Sequence, residues 1–259
     1  MAGQRVIHIQ YNLLCTFFER LNFCQEWAHW TITLNSGSSG ALVLGADHTA
    51  EANNKISAGT YGAFAGAGAE SENTVSSAVT TSVGEGVTVS ALDIQIDSTN
   101  TFRKPELSGG KNIDGTAGSL LASGAKVSSE TVLTFETIVE VEDNATVQLD
   151  GSASDSGDFT LRALNDFEAF DKVNFLTYGA IGSGVGAYST IETETDLAQV
   201  RVGNDATLTS VGDIEMSARG GGDVTTKVNA DAGGLATVIL VDATVDIRPE
   251  NEVLIESGA

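Results

Sequence analysis

A short phrase recurs along the chain, and its alternation limits what the chain can become. In the clearest copy, VRVGNDATLTSVGDIEMSA (200–218), Val200, Val202, Ala206, Leu208, Ile214, Met216 and Ala218 share one parity. Thr207, Thr209, Glu215 and Ser217 take the other. Strict alternation over short runs marks strands with one buried and one wetted face. Gly203-Asn204-Asp205 and Gly212-Asp213 interrupt the runs with residues that turn a chain at little cost. The phrase returns as VEVEDNATVQLDGSASDSGDFTLRA (139–163), where Val139, Val141, Ala145, Val147, Leu149, Phe159, Leu161 and Ala163 share a parity. Looser copies occupy 82–97 and 31–46. Small-residue runs opening on Tyr-Gly-Ala lie between the phrases, at 61–83 and 178–200.

The turn phrase falls at Val83, Val141, Val202 and near Ile247, giving spacings of 58, 61 and roughly 45 residues. A repeat of this size filled with strands and Gly-rich corners predicts an all-β solenoid, a parallel β-helix. At roughly 20 residues per coil, each phrase makes two or three coils and the body a rod on the order of 50 Å long. Stacked coils set like residues over like, which suits a chain with 29 Gly, two Pro and 6% aromatic residues. Gly66, Gly68, Gly184 and Gly186 are then places of close backbone approach or positive φ. An antiparallel sandwich does not require the same turn phrase to return with the same parity. An α/β fold fails because no segment after residue 31 keeps an apolar period of 3.6 with capping signals. The nearest case, LRALNDFEAF (161–170), reads as a strand end followed by a lateral bulge.

Residues 1–30 stand apart from the body at 31–259. They hold both Trp, both Cys (Cys15 and Cys24) and balanced charge, so the whole net charge of −22 belongs to the body. Leu13, Leu14, Phe17, Phe18 and Leu21 follow a helical stripe. The segment reads as a capping helix, an extension foreign to the repeat, or an atypical targeting segment. It carries no clear signal-peptide pattern and is too short and polar to span a membrane. At the other end NEVLIESGA (251–259) stops inside a phrase, so the expectation is a piece of a longer array. With no Cys after residue 24, a disulfide framework is excluded for the body.

The acidic charge argues against binding nucleic acid or anionic head groups, both of which need a basic surface. No HExxH, Cys-x-x-Cys or GxSxG motif is present, so no catalytic residue is assigned. His48 is the one histidine of the body and is expected on an exposed turn. GSGVGAY (182–188) lacks the strand–helix context of a dinucleotide loop and reads as a repeat corner. Arg162, Arg201 and Arg219 are scattered one per coil, outside any catalytic phrase. Calcium is the strongest ligand candidate, through GGKNIDGTAG (109–118) and GNDATL (203–208), with Asp114 and Asp205 as weak ligands. Neither loop has the tandem register of a calcium-binding β-roll. Asp143, Asp158, Asp205 and Asp213 therefore read first as turn-formers, and no cofactor is expected. Asn144-Ala145-Thr146 is a formal glycosylation sequon.

The phrases at 139–163 and 200–218, joined by Gly/Ala-rich YGAxxG segments, resemble the repeats of large bacterial surface proteins. They are most similar to leukotoxin-type filamentous adhesins and related giant exoproteins of the haemagglutinin-like class, over about residues 31–259. The resemblance implies a right-handed parallel β-helical stalk or adhesive fibre, extracellular or on the bacterial cell surface. Its partners would be a host or neighbouring cell surface, glycan or protein, met on an extended lateral face, together with the continuation of the same array. The other expectation is a carbohydrate-active β-helix, either a lyase or hydrolase or a glycan-binding module. A groove carrying one non-repeating cluster of acids would favour it.

Overall fold

The computed structural model of the chain describes residues 4–15, 24–35, 41–53, 55–106, 112–149 and 157–259, the first two stretches as backbone. The Ser/Gly turns expected at 36–40 and 150–156, and the start of the loop at 109–118, lie outside the described residues. Among the described residues every regular element is a strand, and no helix is long and apolar enough to cross a membrane. The strands are β1 (Gln4–Cys15), β2 (Cys24–Asn35), β3 (Ala41–Glu51), β4 (Ile56–Val83), β5 (Thr88–Ala91) and β6 (Asp93–Lys104). Then come β7 (Ile113–Val141), β8 (Thr146–Leu149), β9 (Phe159–Gly179), β10 (Gly182–Val202) and β11 (Thr207–Thr209). The last are β12 (Ile214–Arg219), β13 (Gly222–Gly233), β14 (Ala236–Asp246) and β15 (Pro249–Ile255).

Among β3 to β15 the strands pair with one another in parallel, and like stacks on like. Leu42, Ile94, Phe159 and Ile214 lie in one column, and Ile56, Ile113, Val173 and Val228 in another. Phe64, Ala122, Gly182 and Ala236 make a third, and Val83, Val141, Val202 and Ile255 a fourth. The hydrogen-bonded neighbour of a strand is thus one whole phrase away: 58, 61 and 53 residues along the fourth column. The expected coil of roughly 20 residues is not what stacks, and the fourth phrase falls at Ile255 rather than near Ile247. The reason is strand length. β7, β9 and β10 run for 29, 21 and 21 residues, because alternation carries the chain onward wherever no turn residue stops it. LRALNDFEAF accordingly lies inside β9, which alternates without a break and has no lateral bulge there.

One phrase makes one layer of the stack. β6, β9 and β12 line one wall. β7 starts on that wall, turns at Leu120–Leu121 and returns along the other beside β10. The short strands β5, β8 and β11 form a separate sheet at the end. The turns that lead into these short strands stack in register. Gly86, Asn144 and Asp205 hold the third place in each, and Gly258 the same place in the turn after β15, with φ of 66, 59, 55 and 84°. That left-handed conformation favours Gly and tolerates Asn and Asp. Gly86 N donates to Asp143 O at 3.0 Å, Asn144 N to Asn204 O at 2.9 Å and Asp205 N to Ser257 O at 3.3 Å. Neighbouring layers are therefore tied at the corner as well as along the strands. Gly66, Gly68, Gly184 and Gly186 are strand residues without positive φ.

The inward side chains make three apolar blocks. The largest joins Leu44, Ile96, Val139, Val147, Phe159, Leu161 and Val200, with Leu208, Ile214 and Met216 partly buried at its rim. Val141, Val147, Phe159, Leu161 and Val202 are buried in it, while Thr207 and Glu215 are exposed, as their parity requires. The second block centres on Phe102, Phe135 and Phe167, whose rings are 6.2–6.3 Å apart between centroids. The third gathers Ile113, Val127, Val173, Phe175 and Val185.

Where it is described, the N-terminal segment is extended and not helical, while Phe17, Phe18 and Leu21 of the expected stripe lie outside the described residues. β1 and β2 form an antiparallel hairpin with Cys15 opposite Cys24. β1 then pairs with β4, again antiparallel, from Tyr11–Val79 to Leu14–Ser76. Val6, Ile7, Ile9 and Tyr11 favour extended backbone, and the edge of β4 offers an open ladder. Thr31-Ile32-Thr33-Leu34, which reads like the short end strands, runs in β2 instead of beside β5.

Layer position should set the cost of an identical truncation. Leu161 and Met216 are register partners, the first fully buried and the second at the rim. Leu161→Ala is expected to destabilise the chain by about 2–5 kcal/mol, and Met216→Ala by clearly less. Urea unfolding midpoints of the two variants check this.

Candidate functional surfaces

The three apolar blocks are separated by buried polar side chains. One seam crosses every layer. Lys104 Nζ donates to Thr131 Oγ1 at 2.8 Å and lies 3.4 Å from Asp171 Oδ1, both ions being fully buried. Ser189 Oγ donates to Asp171 Oδ2 at 2.7 Å, and Thr226 Oγ1 bonds Ser189 in turn. On the other side, Asn73 Nδ2 reaches Thr131 Oγ1 at 3.4 Å. Burial lowers the Lys104 pKa, and Asp171 pulls it back up. A lysine that stays charged in such a place requires this partner.

The second seam stacks His48, Asn100 and Asn165 on one wall. His48 Nδ1 lies 3.0 Å from Asn100 Oδ1 and 2.8 Å from Ser77 Oγ. The histidine is thus buried in β3, not set on an exposed turn. Its column explains this, because it stands over Asn100, with a facing Ser77 to bond. Asn165 receives a hydrogen bond from Thr137 and donates to Asp196 Oδ1 at 2.8 Å and to the Leu197 carbonyl at 2.9 Å. Asp196 is 1% exposed, and its Oδ2 has no hydrogen-bond partner among the described residues. Burial raises the Asp196 pKa, with the Asn165 bond opposing. None of Lys104, Asn165, Asp171 and Asp196 was signalled as special in sequence. Each sits at an inward parity, and that inward polar position was the available signal.

The residues singled out in sequence are placed apart from one another. Asp114 lies on β7, where its Oδ1 accepts from Asn174 Nδ2 at 3.0 Å. Asp205 occupies the left-handed corner after β10. Among the described residues no three His, Cys, Asp or Glu side chains are grouped to hold a metal ion. Arg162 lies 3.4 Å from Asp97 of the layer above. Arg201 bridges Glu140 at 2.9 Å and Glu256 at 2.6 Å, a ladder across three layers. Burial raises the Glu140 pKa, chiefly against the pull of Arg201.

Arg219 belongs to a different feature. The stack is interrupted between β12 and β13, where Gly220 and Gly221 stand in place of paired residues. A Cβ on Gly220 would come within 2.7 Å of Asp196 Oδ1, so glycine is what lets the backbone cross here. A groove of about 580 Å³ opens beside the crossing, lined by Arg103, Asp166, Glu168, Arg219 and Asp223 among others. Arg103 is 2.6 Å from Asp166 and 3.8 Å from Glu168. This cluster occurs once, in contrast to the repeated corners.

A second surface runs along the stack at the turn between the two walls. Tyr61 lies against Gly118 of the next layer, and Tyr178 against Gly233; a Cβ at either glycine would meet the ring at 2.7–2.8 Å. Phe64, Leu120 and Ile181 crown the same corner at 73, 76 and 58% exposure. With layers ~4.8 Å apart, Tyr61 and Tyr178 recur every second layer on an extended apolar strip.

Two predictions follow from the seams. Lys104→Met leaves Asp171 buried without its cation and is expected to cost about 3–5 kcal/mol. The double variant Lys104→Met/Asp171→Leu is expected to recover most of that loss in urea unfolding. The Asp196 carboxyl has a raised pKa in the folded chain, so its contribution is fully present below the ordinary aspartate range. It is lost as pH rises through the raised value. Asp196→Asn should therefore flatten the decline of melting temperature over that window, and an unchanged slope would rule out the assignment.

No family model matches the chain, and no curated protein or solved structure is similar to it.

Proposed function

We propose that the chain is a segment of a right-handed parallel β-solenoid serving as a structural and adhesive element of an exported, filamentous bacterial surface protein. It works without catalysis and meets a host or neighbouring cell surface, glycan or protein, along a lateral face. The observation that carries this reading is the whole-phrase parallel register, with stacked corners that present Tyr61, Phe64, Leu120, Tyr178 and Ile181 to solvent. Such a repeat gives a binding face that lengthens with each layer instead of a single cleft. Exposed aromatic and aliphatic strips of this kind are the usual marks of contact sites. The formal charge of −22 directs the partner away from polyanions.

The groove at the Gly220–Gly221 crossing favours a second reading, a carbohydrate-active site with Asp166, Glu168 and Asp223 as its acids. The Arg103 contacts with Asp166 and Glu168 weigh against it, because both carboxylates are already engaged with one guanidinium.

Retention of the purified chain on cell surfaces and glycan arrays separates the two. Tyr61→Ser/Tyr178→Ser is expected to lower retention at least tenfold and leave the fold intact. Release of reducing sugar from a polysaccharide panel, abolished by Asp166→Asn with Glu168→Gln, would overturn the adhesive reading.

A further inference from the structure

The two ends of the stack are unequal and complementary. At the far end β12, β13, β14 and β15 are each hydrogen-bonded on one side only, to β9 or β10. Val238, Leu240, Val241 and Ile255 are 54–60% exposed there. At the near end, among the described residues, β3 pairs only with β6, and residues 56–75 of β4 only with β7. Continuing the internal columns by one step would set the far end of one chain on the near end of another. Ile214 would then meet Leu42, Met216 Leu44 and Val228 Ile56. Val238 and Leu240 would lie over Gly66 and Gly68, large residues on small.

We propose that this chain stacks head to tail on a second copy of itself, with β12–β14 of one adding in parallel register to β3 and β4 of the next. The strands offered have six, twelve and eleven residues, which matches the roughly 20–30 residues a side of a stable interface. The contact is heterologous, so it propagates and does not close. β1 is the element in its way, since β15 would need the stretch of β4 that β1 covers. β1 holds that edge through four paired residues, Tyr11 to Leu14, whereas β15 forms seven pairs with β10. The hairpin is thereby a displaceable cap. The uniform acidic charge opposes the approach, so added salt favours stacking.

The test is sedimentation velocity of the full chain over a range of concentrations, in low and in 0.5 M salt (about a 30 Å and a few-Å screening length). Oligomers that grow with concentration and salt are expected. Val238→Asp/Leu240→Asp blocks the far end and Gly66→Asp/Gly68→Asp the near end, all at exposed positions. Each variant alone should remain a monomer, and an equimolar mixture should stop at dimers, because one good end of each kind is left. A wild-type chain that stays monomeric throughout overturns the proposal. So does association that survives either variant, or a mixture that grows past two.

Discussion

Parallel register is the constraint on which the rest of this structure depends. Once Val83, Val141, Val202 and Ile255 stand in one column, every other position inherits its neighbour from the phrase above. The corners then need a left-handed residue at one fixed place. Gly86, Asn144, Asp205 and Gly258 supply it, and each is a residue type that tolerates φ > 0. A slip of one residue would turn each wall inside out, and the corner columns would lose their backbone bonds together.

The buried polar seams bear on the same constraint. A wall of purely apolar alternation is indifferent to slips of two residues, because inward positions would still meet inward positions. Lys104 opposite Asp171 and Asn165 opposite Asp196 remove that indifference. A two-residue slip would leave a buried charge without its partner, which costs several kcal/mol. The seams thus divide the core into blocks and give each long strand a fixed registration mark. Asp196 carries an unpaired oxygen and a raised pKa for its place in this arrangement.

Much of this was legible in the chain. Alternating parity predicted the inward residues of β8, β11 and β12, of the start of β9 and of the end of β10, and the recurrent turn phrase predicted parallel stacking of like on like. Coil length was not legible. Gly179 ends β9 at the wall-to-wall corner, but Gly118, Gly124 and Gly184, which share its appearance, lie within strands. Composition cannot distinguish a Gly that bends the chain from a Gly that lies under a neighbour's ring. His48 was misplaced for a related reason: its partners Asn100 and Ser77 are 52 and 29 residues away. The groove at Gly220 arises where the stack lacks a pair, and a lapse in repetition has no motif of its own.

Acidity is the remaining tension, since stacking like on like also stacks carboxylates at a spacing near 5 Å. The chain has 13 cations for 35 acids, too few to neutralise each column. Several of them are placed where columns would otherwise be wholly acidic or polar. Arg162 follows Asp97, and Arg201 separates Glu140 from Glu256. Asn174 follows Asp114 and shares a hydrogen bond with it. Each exposed pair is worth little alone, but inserting it converts a repulsive contact between layers into an attractive one. The surplus of negative charge is left on outward positions, where water and salt screen it. The same surplus works against random pairing of exposed strand edges.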